Sequence, residues 1–313
     1  MFPPIINLLG PTATGKTEIA LEIASELPVS IISVDSALIY RGMNIGTAKP
    51  SQAQRQKVPH YLIDICNPET SFSAGDFANI AWQTIQKIHQ AQRIPLLVGG
   101  TMLYFKALYQ GLANLPPAQP VARQYISGLA KRYGWPHCHQ ILQQVDPVCA
   151  QQIQPTDPQR IQRALEIYYS MGKTLSGMWQ NTHPRITTET SYITIALYPQ
   201  QRNKLHQRIA QRFEHMMAEG FINEMETIMQ SPMIHSALPA MRTVGYRQAW
   251  AYLTGKITFE EMQNQAIAAT RQLAKRQLTW LKSWPNIDYQ FDPFEDTNIA
   301  QKVVDIYQNI TTI

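Results

Sequence analysis

Ile5-Ile6-Asn7-Leu8-Leu9-Gly10-Pro11-Thr12-Ala13-Thr14-Gly15-Lys16-Thr17 decides how this chain is read. An apolar run of strand length, Ile5–Leu9, empties into a loop of glycine and small hydroxyl residues. The chain then continues over residues 18–27 with apolar positions at helical spacing. The loop itself matches G-x-x-x-x-G-K-[ST]. Small residues let successive backbone N–H groups converge on a phosphate, and the following helix turns its positive end toward that anion. Lys16 adds a point charge, and the Thr17 hydroxyl is of the kind that ligates magnesium.

Working outward, residues 29–33 form a second apolar strand with Asp35 just beyond it, residues 61–65 a third, and residues 95–98 a fourth that runs into Gly99-Gly100-Thr101. Ser73 and Asp76 mark the start of a helix whose apolar face is Phe77, Ile80, Ala81, Ile85 and Ile88. This strand–helix alternation predicts an α/β fold, a P-loop NTPase-like parallel sheet flanked by helices. The pattern changes at residues 112–120, a proline-rich linker, and residues 121–180 read as helical and poor in strands. Residues 193–198 return as a strand, followed by helices over 204–219, 245–253 and 258–284. The expected division is a catalytic core of residues 1–112 and 191–313 around a helical insertion of residues 113–190.

The 313 residues, 44% hydrophobic, suffice for a sizeable core. Lys and Arg number 27 against 22 Asp and Glu, a formal charge of +5. That mild excess favours an anionic partner without requiring nucleic acid. The three cysteines, Cys66, Cys138 and Cys149, are too few and too scattered for a disulfide framework or a zinc knuckle. There is no basic n-region before the first strand and no long apolar run, so a cytoplasmic protein without a membrane span, acting as a monomer, is expected. His137 and His139 stand two apart, cannot share a helix face, and read as surface residues rather than metal ligands.

Two strand ends carry further chemistry. Asp35 lies where open α/β sheets face their ligand crevice, so its carboxylate suits a general base or a metal ligand, and equally a turn cap. Gly99 and Gly100 permit close approach of a ligand to the backbone, and Thr101 adds a hydroxyl. An ordinary P-loop NTPase ends a neighbouring strand with an aspartate that holds magnesium. The fourth strand here ends in glycines and a threonine instead.

The ordered set of residues 10–17, Asp35-Ser36-Ala37-Leu38, Gly99-Gly100-Thr101, Gln159-Arg160-Ile161-Gln162-Arg163, Val244-Gly245-Tyr246-Arg247 and Thr270-Arg271-Gln272-Leu273-Ala274-Lys275-Arg276-Gln277 resembles the tRNA dimethylallyltransferases over about residues 5–285. The resemblance implies a phosphate loop (Gly10, Thr12, Ala13, Thr14, Gly15, Lys16, Thr17) that holds dimethylallyl diphosphate with the help of Arg212, and Mg²⁺ on Thr17. It implies Asp35 as general base and Thr101 as a second contact to the acceptor adenine, beside the anticodon of tRNA. It further implies tRNA contacts from residues 35–38, Arg123, residues 159–163 and Arg242-Thr243-Val244-Gly245-Tyr246-Arg247, with the insertion gripping the anticodon stem-loop. The chain lacks the cysteine pair of the C-terminal zinc finger found in eukaryotic relatives and so resembles the shorter bacterial form. The similarity of plant relatives keeps a free adenine nucleotide open as acceptor.

The chemistry is coherent. An exocyclic adenine amine is a weak nucleophile, and a positioned carboxylate that takes its proton is typically worth roughly 10²–10⁴ in rate. The base must be unstacked to reach the pocket. Arg160 and Arg163 share a helix face, as do Arg208 and Arg212, while Arg271, Lys275 and Lys282 form a stripe whose role stays undecided between solvated face and phosphate contact. A small-molecule P-loop kinase explains the loop and the sheet but neither Gly99-Gly100-Thr101 nor the insertion. A non-catalytic RNA binder leaves Lys16, Thr17 and Asp35 unexplained.

Overall fold

A computed structural model describes residues 2–112, 115–116, 119–179, 184–186 and 190–311. Among these, strands β1 (Ile5–Leu9), β2 (Val29–Val34), β3 (His60–Tyr61), β4 (Ile94–Gly99), β5 (Tyr192–Leu197) and β6 (Tyr289–Phe291) form one parallel sheet in the order β3-β2-β4-β1-β5-β6. Every residue of β1, β2 and β4 is buried. A parallel sheet covered on both faces has no solvent side, which is why these strands read as near-continuous apolar runs, interrupted only by Asn7 in β1 and by Ser30 and Ser33 in β2. Helices Lys16–Glu26 and Ile299–Thr311 cover the face that presents Ile6, Leu8, Val29, Ile31, Leu96 and Ile195. The helix Ala74–Gln90 packs on β2 and β4 from the other face through Phe77, Ala81, Ile85 and Ile88. Its start is fixed as the sequence predicts: Ser73 Oγ accepts from the Asp76 N–H at 3.1 Å, and Asp76 Oδ2 accepts from the Ser73 N–H at 3.0 Å.

The third strand is shorter than expected. It covers only His60–Tyr61, because Leu62 (φ 62°) and Asp64 (φ 56°) adopt left-handed backbone and turn the chain away. That turn delivers Asp64 to Lys49 Nζ and Arg55 Nη1, each at 2.6 Å. The ion pairs outweigh the strand propensity of an apolar run. Several elements were not anticipated: helices Gln52–Lys57, Met102–Tyr109, Phe221–Met229 and Ile299–Thr311, the single turn Ala240–Arg242, and the short edge strand β6.

Residues up to Leu108 together with those from Ile186 onward form one compact unit, and Tyr109–Arg185 forms another. Within the second, helices Pro120–Tyr133, Trp135–Val145, Pro147–Gln151, Pro158–Met171 and Leu175–Met178 enclose Ile126, Cys138, Leu142, Cys149, Ile161 and Leu165. Pro120 opens the first of these helices, where its missing N–H costs nothing. Of the stretch expected as a linker, residues 113–114 and 117–118 lie outside the described residues, as does residue 180 at the end of the expected helical region. His139 corrects the sequence reading: it is buried, with Nε2 against the carbonyls of Ala150 (3.1 Å) and Ile153 (2.8 Å), tying helix Trp135–Val145 to the segment after it.

A side chain at position 99 would overlap the β2 backbone, since an added Cβ lies 2.7 Å from Val34 Cβ and closer still to the Val34 carbonyl. Gly99→Ala is expected to destabilise the protein by about 1–3 kcal/mol through overpacking. Gly128→Ala, in an open helical position with nothing within 4 Å of the new methyl, should be neutral or mildly stabilising. Paired urea melts decide; equal stability of the two variants would remove the close-approach argument.

Candidate active site

The register of the sheet builds the site. Leu9 pairs with Gly99 and Ala196, and Gly99 pairs in turn with Val34, so Gly10, Gly100 and Asp35 leave three adjacent strands at one level. Strands lie about 4.8 Å apart, which puts the phosphate loop and Asp35 about 10 Å apart on either side of the β4 end.

Ala13 (φ 64°) and Gly15 (φ 77°) take left-handed backbone and curl the loop so that its amides turn inward, ahead of helix Lys16–Glu26. The Pro11 carbonyl accepts from Thr14 Oγ1 at 2.8 Å and from Lys16 Nζ at 2.6 Å. Arg212, on helix Arg202–Ala218, donates from Nη1 to Thr12 Oγ1 at 3.3 Å and from Nη2 to the Thr47 carbonyl at 3.2 Å. Burial, and then the Arg212 charge, pull the Lys16 ammonium down to about 8, against the opposing pull of Asp35 and Glu18. Burial also lowers the Arg212 guanidinium from its usual range. Two cations therefore share a pocket and are met by neutral oxygens. The Thr17 hydroxyl makes no hydrogen bond among the described residues.

Asp35 Oδ1 accepts from the Ala37 N–H at 2.8 Å, while Oδ2 has no partner among the described residues. The carboxylate is thus oriented by a turn, as the turn-cap reading expects, and keeps its second oxygen without a partner among the described residues. The Thr101 N–H donates to the Val34 carbonyl at 3.2 Å, and Thr101 Oγ1 accepts from the Ser36 N–H at 3.1 Å. Because that oxygen is already an acceptor, its hydroxyl proton is left to donate elsewhere. Of the segment after Asp35, Ser36 is exposed while Ala37 and Leu38 are half-buried.

The glycines at 99 and 100 need a different explanation from the sequence one. A side chain at 100 would collide with Gln277 Nε2 and come within 2.8 Å of the Gly10 carbonyl. Both glycines are required by protein atoms, not by open space for a ligand. Gln277 itself was missed: its Oε1 accepts from the Thr12 N–H at 2.9 Å, and its Nε2 donates to the Gly100 carbonyl at 2.9 Å. Glu224 was missed too. It accepts from the N–H groups of Asn44 and Ile45, each at 2.7 Å, from Gly46 at 3.1 Å, and from the Tyr246 hydroxyl at 2.6 Å. No local sequence signal marks either contact, since the partners lie 265, 177 and about 180 positions away.

The residues expected at the RNA divide by burial. In the core unit, Arg242 and Arg247 are exposed, Thr243 and Val244 are half-buried, and Gly245 and Tyr246 are buried. Tyr246 is fully buried against Phe221, and burial with the adjacent Glu224 drives its phenol far upward, so it holds up the segment from below. In the insertion, Gln159 and Arg160 are exposed, and Ile161 is fully buried in the helical core. Gln162 donates to Ser127 Oγ at 2.8 Å. Arg163 is not a free cation. It reaches Glu166 at 3.4 Å and the Pro116 carbonyl, and Arg123 reaches the other Glu166 oxygen at 3.3 Å. Glu166 is fully buried, so these arginines neutralise it.

The sequence pattern of the IPP transferases matches residues 38–284. A tRNA dimethylallyltransferase of Alkalilimnicola ehrlichii is 52% identical over 280 residues, covering 90% of this chain and 88% of that protein. The chain belongs to the IPP transferase family. A full-length tRNA isopentenylpyrophosphate transferase from Bacillus halodurans shares 33% identity with a TM-score of 0.69, over 99% of this chain and 96% of that one. A eukaryotic dimethylallyltransferase that acts on tRNA shares the fold, at 24% identity and a TM-score of 0.82, over 99% of this chain and 80% of its own. The family match opens at Leu38, so the phosphate loop and Asp35 rest on their own geometry.

Prenyl transfer in this family calls for a divalent metal at the diphosphate. The described residues hold no cluster of three or more His, Cys, Asp or Glu that would cage an ion. The donor set still fits an ion of the magnesium kind, which takes few protein ligands and completes its shell with phosphate oxygens and water. The unpartnered Thr17 hydroxyl at the head of a phosphate-loop helix is of the type that could serve as one of those few ligands.

The Lys16 ammonium gives a pH test. A bound diphosphate favours the protonated form and raises its value above the free-state figure of about 8. Diphosphate affinity should then be flat below that pH and fall by up to about tenfold per unit above it. Lys16→Arg stays charged, so the ratio of wild-type to Lys16→Arg affinity, which cancels the titration of the ligand, should decline from pH 8 to 9.5. Calorimetry with inorganic diphosphate checks this, and a level ratio would place the Lys16 ammonium well above 8.

Proposed function

We propose that this chain transfers the dimethylallyl group of dimethylallyl diphosphate to the exocyclic N6 amine of the adenosine 3′-adjacent to the anticodon in tRNA, giving N6-isopentenyladenosine and diphosphate. The observation that carries the reading is the shared level of three strand ends: a phosphate loop, a hydroxyl and a half-free carboxylate on neighbouring strands. An N–C bond forms as the allylic C–O bond breaks. The amine proton passes to Asp35 Oδ2, and the Thr101 hydroxyl donates to the adenine ring. Lys16, Arg212 and the loop amides receive the charge that builds on the departing diphosphate. Mg²⁺, held by Thr17 and the diphosphate itself, would neutralise part of that charge.

A kinase reading has less support, because β4 ends in Gly99 without a carboxylate to serve a nucleotide-bound metal. The insertion would take the anticodon stem-loop, with Gln159 and Arg160 exposed for phosphate contact. No helix among the described residues is long and apolar enough to cross a membrane, and the reading places the reaction in the cytoplasm. Incubation with stem-loop RNA, Mg²⁺ and dimethylallyl diphosphate, followed by digestion and mass analysis of nucleosides, tests the reaction. Parallel arms with AMP as acceptor and with ATP as donor separate free-nucleotide prenylation and kinase activity.

Asp35→Asn keeps the size and the bond to Ala37 N–H but cannot take the proton. Single-turnover transfer should fall by roughly two to four orders of magnitude. Donor and RNA binding should hold within a few-fold. Collapse of donor binding and its metal dependence would reassign Asp35 to the metal.

The two insertion arginines should part company. Arg160, paired only with Asp157 at 3.5 Å and well exposed, is expected to lower the salt dependence of RNA binding by about one unit of slope when changed to alanine, with little effect on stability. Arg163→Ala leaves Glu166 short of a partner and is expected to cost about 3 kcal/mol of insertion stability. Thermal melts and salt titrations of both variants check this; equal melts would mean that Glu166 does not need Arg163.

A further inference from the structure

The contributions described above come from the strand ends, from the phosphate loop with its helix and from Arg212, yet the loop is also held from helix Phe259–Lys282. We propose that Gln277 is a positioning residue for prenyl transfer, its carboxamide setting the spacing between the phosphate loop and the strand end that bears Thr101. The inference rests on the reading given under Proposed function.

Gln277 lies on helix Phe259–Lys282 and uses both ends of its amide. Oε1 takes the Thr12 N–H and Nε2 gives to the Gly100 carbonyl, both at 2.9 Å. One rigid planar group therefore spans the two segments that must hold donor and acceptor. The Thr12 amide is thereby withdrawn from the set available to a diphosphate, leaving that task to the later loop amides. Thr12 is fixed from the opposite side as well, its hydroxyl accepting from Arg212. At Gly100 there is no slack, since an added Cβ would collide with Gln277 and lie 2.8 Å from the Gly10 carbonyl.

The helix that carries Gln277 is itself tied to both segments. Ala13 of the loop packs on the cluster of Leu205, Ile209 and Ala274, with Leu278 beside it. Towards its end, the Trp280 ring lies 5.9 Å from Lys106 Nζ, and Trp284 just beyond it meets Phe105 edge-on at 6.2 Å. Lys106 and Phe105 belong to helix Met102–Tyr109, which begins directly after Thr101. Movement of the helix thus moves loop and strand end together, and the amide fixes their separation. A neutral side chain that donates and accepts at once is required. A carboxylate would accept from Thr12 but repel the Gly100 carbonyl, and would set a negative charge beside a diphosphate site.

The experiment compares Gln277→Leu and Gln277→Glu with the wild-type chain. In Gln277→Leu, affinity for inorganic diphosphate should fall by about three- to tenfold, the scale of a lost hydrogen bond beside the loop. Its single-turnover prenylation of stem-loop RNA at saturating donor should fall by about 10–100-fold, because small misplacements of reacting groups are costly. Stem-loop affinity should stay within about threefold and the melt should remain cooperative, since the RNA-facing groups are untouched. Gln277→Glu should be equally slow at pH 8, but its rate relative to wild type should recover as pH falls toward 5 and the acid regains a proton to give to Gly100. A residue that only docks the helix would lower the melting temperature without that recovery. A ratio flat with pH, or wild-type single-turnover rates in Gln277→Leu, would overturn the proposal. If the wild-type chain prenylates no RNA, the functional reading fails first. The clamp is then judged on inorganic diphosphate alone, and unchanged affinity in Gln277→Leu sinks it.

Discussion

The common level at which β1, β2 and β4 end is the constraint on which the rest of the molecule depends. A parallel sheet buried on both faces keeps the polar side chains along its strands, such as Asn7, Ser30, Ser33 and Thr194, out of reach of solvent, so the chemistry gathers at the carboxyl ends. There the register decides what meets what. Leu9, Gly99 and Val34 lie in one row, and a shift of one residue in any pair would carry Asp35 or Thr101 off the level of the loop. Gly99 keeps the row tight, because no side chain fits between β4 and the Val34 carbonyl. Helices Lys16–Glu26 and Ala74–Gln90 hold the sheet in that register from opposite faces.

Charge placement separates working cations from supporting ones. Lys49 and Arg55 share the Asp64 carboxylate, and Arg123 and Arg163 share Glu166. Each of these sets closes on itself and fixes a loop or a helix end. Lys16 and Arg212 have no such closure. They face each other across the loop with only the Pro11, Thr12 and Thr47 oxygens as hydrogen-bond acceptors. Burial first, and then the neighbouring Arg212 charge, pull the Lys16 ammonium down to about 8. An anion with several oxygens offsets that pull. The same comparison makes Glu224 a support: its carboxylate is met by three backbone N–H groups and a phenol, and it shapes the 44–46 loop next to Thr47, which Arg212 holds.

The sheet and the loop were legible because their signals are local. β1 has the bounds read from the sequence, β2 differs by one residue at one end, β4 and β5 by one residue at each end, and the capping box at Ser73 forms as its spacing predicts. What escaped is non-local. Gln277 and Glu224 act on loops far upstream, and nothing in a stretch such as Lys275-Arg276-Gln277 distinguishes a residue that turns inward from its exposed neighbours. The segments carried over from the family resemblance also contain inward-facing residues, since Ile161 and Tyr246 are fully buried in cores. Arg163 shows the same limit from the side of charge. A basic residue on a partly exposed helix face looks like a phosphate contact until a buried glutamate one turn later is seen to need it.

The insertion raises the question of how a sheet survives the loss of its chain continuity between Leu108 and Ile186. The Ile186 N–H donates to the Leu108 carbonyl at 3.2 Å, so the core unit closes the gap with its own backbone bond. Leaving and re-entering at one point makes the length of what lies between a minor term, because loop-closure entropy grows only slowly with length. The inserted residues then need a core of their own, and they have one, with Asp146 capping its own helix at Cys149 and accepting from both the N–H and the hydroxyl of Ser176. Six positions beyond Ile186 the chain enters β5, which lies directly against β1. The strand that carries the phosphate loop is therefore flanked by segments from before and after the insertion.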